Sequence, residues 1–265
     1  MPAGGEEGRL MQAGSMQGRV AIVTGGGSGI GRATALGLAA EGWTVVAADI
    51  DAPAAQETAR LISAAAGQAS TLRVDVTRDE DCAAMVAQTL ERHGRLDAAF
   101  NNAGIAGYPL RTVDHSPAQW QRVIDVNLSG VFHCLRHEIP AMQRQGGGAI
   151  VNTASIMGLR GAFGGSAYCA AKHGVVGLTK AAALECGRDG IRINAVCPGY
   201  IDTPMTTGED AIFTDKLLDA GLQRAAIRRL ARPEEVAAMV VWLCSPHASY
   251  VTGASFTVDA GVTAS

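Results

Sequence analysis

The chain has 265 residues, 48% of them apolar and 18% charged, with a formal charge of -3. That length can bury the core of one large domain, and the composition excludes disorder over most of it. The small negative charge excludes an electrostatic footprint for nucleic acid or an anionic membrane, and no apolar run reaches the length of a membrane span.

The first seventeen residues, MPAGGEEGRLMQAGSMQ, place Glu6 and Glu7 where a signal peptide would need an apolar stretch. Residues 1–17 are expected to be a disordered leader, with Met11 or Met16 as alternative starts. From residue 18 to 265, β-branched runs alternate with helical patterns. Strands are predicted at 20–25, 44–49, 70–76, 96–102, 148–155, 191–198 and 254–259. Helices are predicted at 29–41, 52–66, 78–93, 116–143, 166–188 and 233–244. This rhythm predicts an α/β fold: one Rossmann domain with a doubly wound, seven-stranded parallel sheet and helices on both faces. The strands are near-continuous apolar runs, as a sheet covered on both sides requires.

The first strand runs into Thr24-Gly25-Gly26-Gly27-Ser28-Gly29-Ile30-Gly31 and then a helix. Glycines there let backbone N–H groups approach a pyrophosphate at a helix N-terminus. Arg32-Ala33 stands where a P-loop needs Lys-Ser/Thr, which argues against nucleoside triphosphate hydrolysis. The second strand ends at Asp49, where a carboxylate can bind a ribose 2′-OH and would repel a 2′-phosphate. The loop has no Lys or Arg before Gly29, so NAD is favoured over NADP.

The third and fourth strands end at Asp75-Val76 and at Asn101-Asn102-Ala103-Gly104. In the helix after them, His133 and His137 share a face, as metal ligands can. The order is not H-E-x-x-H and no third ligand suggests itself, so no metal is expected. Asn127 lies earlier in the same pattern and reads, taken singly, as a helix defect. Ser155 closes the fifth strand, where ligands of open α/β sheets bind, although by itself it is also an ordinary strand-end cap.

Tyr168 and Lys172 follow in SAYCAAKHGVVGLTKAAALE, a helical segment in which residues four apart share a face. A phenol titrates near 10 and is a poor base at neutral pH. A positive charge roughly 4 Å away, at an effective dielectric near 20, contributes about 4 kcal/mol. That is enough to bring the Tyr168 hydroxyl close to a working pH as an acid–base catalyst. Beyond the sixth strand come Pro198-Gly199-Tyr200-Ile201 and Thr203. Residues 202–232 then break the rhythm, as a lid over a site does.

These motifs in this order resemble the short-chain dehydrogenase/reductases, in their compact single-domain branch, over essentially the whole chain after residue 17. The resemblance rests on T-G-x-x-x-G-x-G at Thr24–Gly31, N-N-A-G at Asn101–Gly104, Asn127, Ser155, Y-x-x-x-K at Tyr168–Lys172 and P-G at Pro198–Gly199. It implies that Tyr168 exchanges the proton and Ser155 polarises the substrate oxygen. Lys172 would lower the tyrosine pKa and bind the nicotinamide ribose, and Asn127 would hold a water that relays protons. It also implies cofactor contacts from Gly25, Ser28, Gly29, Ile30 and Gly31 to the phosphates. Asp49 and Ile50, then Asp75 and Val76, would serve the adenosine, and Asn102, Ala103 and Gly104 its ribose. Pro198, Gly199, Ile201 and Thr203 would serve the carboxamide. The Asp259-Ala260-Gly261 ending departs from the family's V-D-G-G tail at Ala260.

The expected activity is NAD-dependent interconversion of a secondary alcohol and a ketone. An NADPH-linked carbonyl or acyl-carrier reductase, a sugar or polyol dehydrogenase, and a silent NAD sensor on the same fold are the alternatives. Pocket walls are expected at Ile105–Leu110 and Ile156–Phe163, with Met205, Ile212, Phe213, Leu217 and Leu218 from the lid. This lining favours an apolar or alicyclic substrate, such as a cyclic alcohol or steroid, although Arg111 and Arg160 lie near. Cys82, Cys134, Cys169, Cys186, Cys197 and Cys244 show no C-x-x-C pairing and read as reduced core thiols of a cytoplasmic protein. The resemblance also implies a homotetramer that pairs the long helices at 116–143 and 166–188.

Overall fold

The computed structural model describes Met16, residues 18–208 and residues 215–264. The expected leader, apart from Met16, and Ile212, Phe213 and the Leu217 side chain lie outside the described residues. Seven parallel strands form one sheet in the order β3-β2-β1-β4-β5-β6-β7. They are β1 (Val20–Thr24), β2 (Thr44–Asp49), β3 (Gln68–Arg73), β4 (Ala98–Asn101), β5 (Gly148–Thr153), β6 (Ile191–Pro198) and β7 (Ser255–Val258). The order reverses between β1 and β4, and a cleft opens at the carboxyl ends on either side of that point.

One face of the sheet carries α1 (Gly29–Ala40), α2 (Ala52–Ala64) and α9 (Pro233–Cys244). There Leu38, Ile62 and Val240 pack with Val23, Val45 and Phe100 of the strands. The other face carries α3 (Asp79–His93), α4 (Pro117–Ile124), α5 (Gly130–Gln145) and α6 (Ser166–Cys186). Met85, Leu135, Met142 and Val175 meet Ile22, Val46 and Ile150 on that side. All five residues of β1 are buried, which is why its sequence shows no alternation. Between β6 and α9 lie α7 (Pro204–Thr207) and α8 (Asp215–Leu222).

Helix ends follow local chemistry. Asp51 caps α2 by accepting from Ala54 N–H at 3.1 Å, and Ser116 and Gln119 form a reciprocal box at the start of α4. α3 carries Asp79, Glu80 and Asp81 in its first turn and Arg92 and His93 in its last, matching the helix dipole.

Three boundaries differ from the sequence expectation in ways that touch the site. β3 stops at Arg73, so Asp75 and Val76 lie in the loop beyond it rather than at its end; Asp75 is turned by Thr77, whose N–H and hydroxyl donate to Oδ1 at 3.0 and 2.7 Å. β5 stops at Thr153, and Ser155 caps a 3-10 turn at Ile156–Gly158 instead of closing the strand. The helix expected over 116–143 is two helices joined by a π-helical turn at Asp125–Ser129, with Asn127 at its centre. Such turns arise where an inserted residue is accommodated inside a helix, often beside functional sites.

Candidate active site

The cleft has a volume of about 360 Å³ and is built from the carboxyl ends of the strands. At its phosphate end, Gly25 and Gly29 adopt positive φ (62° and 49°), a region open to glycine at little cost. A Cβ on Gly31 would collide with the Gly25 carbonyl oxygen, so the first turn of α1 lies against the loop only because that position is bare. Ser28 precedes α1 and its side chain makes no capping bond. The loop is pinned from β4: the Thr24 hydroxyl accepts from Asn102 N–H at 2.9 Å and Ala103 N–H at 3.1 Å. Asn102 Nδ2 returns bonds to the carbonyls of Thr24 and Gly25 at 3.3 and 3.4 Å.

Asp49 reaches into this loop. Its Oδ2 accepts from Gly27 N–H at 2.9 Å and its Oδ1 from Asp51 N–H at 3.0 Å, which fixes the carboxylate at the cleft wall. Arg32 is turned away and occupied, with Nε on Thr58 at 3.0 Å and a terminal nitrogen on the Gly27 carbonyl. Ile50, Asp75 and Val76 line the adjacent wall.

The chemical centre lies where β4, β5 and α6 meet. Lys172 is buried, and its Nζ donates to the Thr153 carbonyl at 2.8 Å. Tyr168, one turn earlier on α6, has its ring centroid 5.5 Å from that nitrogen. Ser155 Oγ accepts from Met157 N–H at 3.1 Å. Gly104 leaves a gap between catalytic candidates: a Cβ there would stand 2.7 Å from Asn127 Oδ1 and 3.7 Å from Lys172 Nζ.

One expectation needs correction. Burial pushes the Tyr168 hydroxyl up to about 12, and the pull of Ser155 only partly opposes it. The Lys172 ammonium hydrogen-bonds to the Thr153 carbonyl. Burial thus outweighs the neighbouring cation, and the phenol stands above its ordinary value rather than below it as the helical spacing predicted. Burial also holds Lys172 down, at about 8. The Asn127 side chain is held by main chain. Its Oδ1 accepts from Ile105 N–H at 3.2 Å, and its Nδ2 donates to the carbonyls of Ile105 at 2.9 Å and Val123 at 3.1 Å. It anchors the 103–107 loop.

The cleft also gathers Gly25, Ile30, Ala103, Pro198, Gly199, Ile201 and Thr203 along one continuous wall. On the substrate side Ile105 and Met205 line it. Ile156 instead packs with Ala225 and Val262, and Phe163 is 95% exposed, so the expected 156–163 wall is only partly a wall. Arg160 turns toward the C-terminal segment, with Nη1 3.5 Å from the Val262 carbonyl. His133 and His137 have separate partners, the Val76 carbonyl at 2.9 Å and Asp79 at 3.0 Å, so the pair ties α5 to the α3 region. Five of the six cysteines are buried and all six are free.

One member of the site carries no sequence signature: the Thr153 carbonyl, which is main chain.

Against known proteins, the family model described as enoyl-(acyl carrier protein) reductase matches residues 25–263. Cyclohexanol dehydrogenase of Acinetobacter sp. (strain SE19) is 49% identical, covering 92% of this chain and 95% of that protein. The crystal structure of levodione reductase aligns with a TM-score of 0.89 at 40% identity, over 94% of this chain and 99% of the other. That of 7α-hydroxysteroid dehydrogenase, complexed with NADH and 7-oxo glycochenodeoxycholic acid, aligns with a TM-score of 0.88 at 32% identity over 93% and 94%. The chain belongs to the short-chain dehydrogenase/reductase family, whose members bind a nicotinamide cofactor, NAD or NADP. The bare cradle at Gly25 and Gly31, the uncapped Ser28 and the gap at Gly104 fit such a dinucleotide.

Proposed function

We propose that the protein is an NAD-dependent alcohol dehydrogenase/ketone reductase acting on alicyclic secondary alcohols and the matching ketones, with Tyr168 as its acid–base group. The observation that carries this reading is the convergence of Tyr168, Lys172 and Ser155 on one cleft that the glycine loop also enters. The bound nicotinamide supplies the hydride chemistry, taking hydride from the alcohol or giving it to the ketone.

Ser155 orients the substrate oxygen toward Tyr168. A phenol whose proton is held up to about 12 is suited to protonate the oxygen formed from a ketone. In the reverse direction Tyr168 must release that proton, which a cationic nicotinamide ring and a charged Lys172 both favour. Lys172, fixed by Thr153, would hold the nicotinamide ribose and keep positive charge beneath the phenol. Asn127 holds the loop that carries Gly104, and would also hold a water that relays protons from Lys172.

NAD rather than NADP is supported by Asp49, whose carboxylate is locked at the cleft wall where a 2′-phosphate would bring like charge. A ring substrate is supported by the relative that acts on cyclohexanol and by Ile105 and Met205 on the cleft wall, which Arg122 also lines.

A homotetramer is supported by apolar residues open on the long helices, Phe132 on α5 and Leu184 on α6, the latter 87% exposed. A cytoplasmic location is supported by six free cysteines. No helix among the described residues is long and apolar enough to cross a membrane.

A panel of ring alcohols, polyols and acyl thioesters, each with NAD and NADP and read by absorbance of the reduced cofactor, tests the reading. Turnover of ring alcohols with NAD is expected. Preference for a polyol, or for NADPH with an acyl thioester, would contradict it.

A further inference from the structure

Behind the cleft, within the core on the α5 side, lies a carboxyl group that the reaction does not use. Glu138 is 0% exposed, and no cation pairs with it among the described residues. Its Oε2 accepts from Asn101 Nδ2 at 3.0 Å. The same nitrogen donates to Asn152 Oδ1 at 3.0 Å, and Asn152 donates in turn to Thr179 Oγ1 at 3.0 Å. Two atoms are left over: Glu138 Oε1 and Asn101 Oδ1, both buried and without a hydrogen-bond partner among the described residues.

These two atoms are the remaining corners of one carboxyl–amide pair. Each is bonded to the same carbon as an atom of the Glu138–Asn101 hydrogen bond. With Glu138 ionised, both corners can only accept, and a buried carboxylate stands without a counter-charge. A proton on Oε1 turns that corner into a donor and satisfies both atoms at once. We propose that the folded enzyme carries Glu138 as the neutral acid, donating Oε1–H to Asn101 Oδ1, and that this pair positions the active site from behind.

The link to the site is short. Asn101 and Asn152 face each other in the β4–β5 register, one residue before the segments that do the work. Asn102 follows the first and holds the glycine loop; Thr153 follows the second, and its carbonyl holds Lys172. An ionised Glu138 would set negative charge against the Asn101 carbonyl and loosen both strand ends.

Burial pushes the Glu138 carboxyl up to about 7 from its ordinary 4.5, opposed only in part by Asn101. The other groups facing it supply no positive charge. They are the Cys134 thiol on α5, with Cys82 of α3 3.8 Å from that sulfur, the amides of β4 and β5, and the Thr179 hydroxyl of α6. Lys172, nearer the cleft on α6, is committed to Thr153.

The positioning role rests on the reading of Lys172 and the 102–104 loop given above; the protonation does not, and is tested without turnover. The infrared difference spectrum between wild type and Glu138→Gln, taken at about pH 6, is expected to show the carbonyl stretch of a protonated carboxylic acid. Because the folded pKa is raised, wild-type stability should decline as pH rises from about 4.5 toward about 7, a decline that Glu138→Gln lacks. A missing acid band, or melting temperatures of the two proteins that run parallel over that window, overturns the protonation. Glu138→Leu leaves Asn101 without its partner and should lower Tm by about 3–10 °C. It should also lower kcat, while Glu138→Gln, whose amide can complete the same ring, rescues both. Glu138→Leu with wild-type Tm and kcat, or Glu138→Gln with the kcat of the leucine variant, overturns the positioning role.

Discussion

Lys172 is held by Thr153: its Nζ donates to the Thr153 carbonyl at 2.8 Å, while the Tyr168 ring centroid stands 5.5 Å away. The end of β5 therefore sets where the cation sits, and α6 sets where the phenol sits. The two are registered through the packing of helix on sheet rather than by a bond between them.

This arrangement predicts a pH signature in stability. Lys172 is held at about 8 against an ordinary 10.5, so between those values the unfolded chain binds more protons than the folded one. Stability should rise with pH across that window and be lost as pH falls through about 8. Lys172→Met, which carries no proton, should remove the rise. Melting temperatures of both proteins from about pH 7.5 to 10 check this. Tyr168 acts with the opposite sign, since its folded pKa of about 12 lies above the ordinary 10 and stability should fall between them.

Gly104→Ala should injure the site more than the fold. The added Cβ would lie 2.7 Å from Asn127 Oδ1, so the amide or the 103–107 loop must move. Overpacking of this kind costs about 1–3 kcal/mol. A fall in kcat of about tenfold or more is expected, because small displacements of positioned groups are expensive in rate. Steady-state kinetics beside a melting curve separate the two effects.

Asp49→Ser should shift cofactor choice toward NADP. Removing the carboxylate takes away a like-charge contact, and a single charge roughly 4 Å away is worth about 1–4 kcal/mol between bulk water and a partly screened surface. The ratio of kcat/KM for NAD over NADP should fall at least about tenfold. Asp49 also braces Gly27, so a loss of affinity for both cofactors is expected alongside the shift.

The sequence disclosed the strand–helix alternation well because the strands β1, β2, β4, β5 and β6 are buried on both faces and the helices on one. β1 reads as VAIVT and lies wholly inside. Motif residues such as Tyr168, Lys172 and the glycines were legible because their side chains, or lack of them, are what the chemistry needs. Electrostatics was not legible. The i, i+4 spacing gives proximity, whereas the tyrosine's proton affinity depends on burial, which the local spacing does not show. The Glu138 acid was hidden for a similar reason: an isolated glutamate in LRHEIPAM looks like helix surface until Asn101 and Asn152 are brought beneath it. The π-helical turn at Asn127 likewise follows from the demand of the Ile105 main chain, 22 residues away, and not from a local propensity.

The central claim is that the Tyr168 oxygen exchanges the substrate proton. Its most direct test is Tyr168→Phe assayed with NAD and cyclohexanol, with cofactor binding followed separately by fluorescence quenching. Turnover should fall by about 10²–10⁴-fold while NADH still binds, because the ring remains and only the titrating oxygen is gone. Turnover within a few-fold of wild type in the phenylalanine variant would contradict the account.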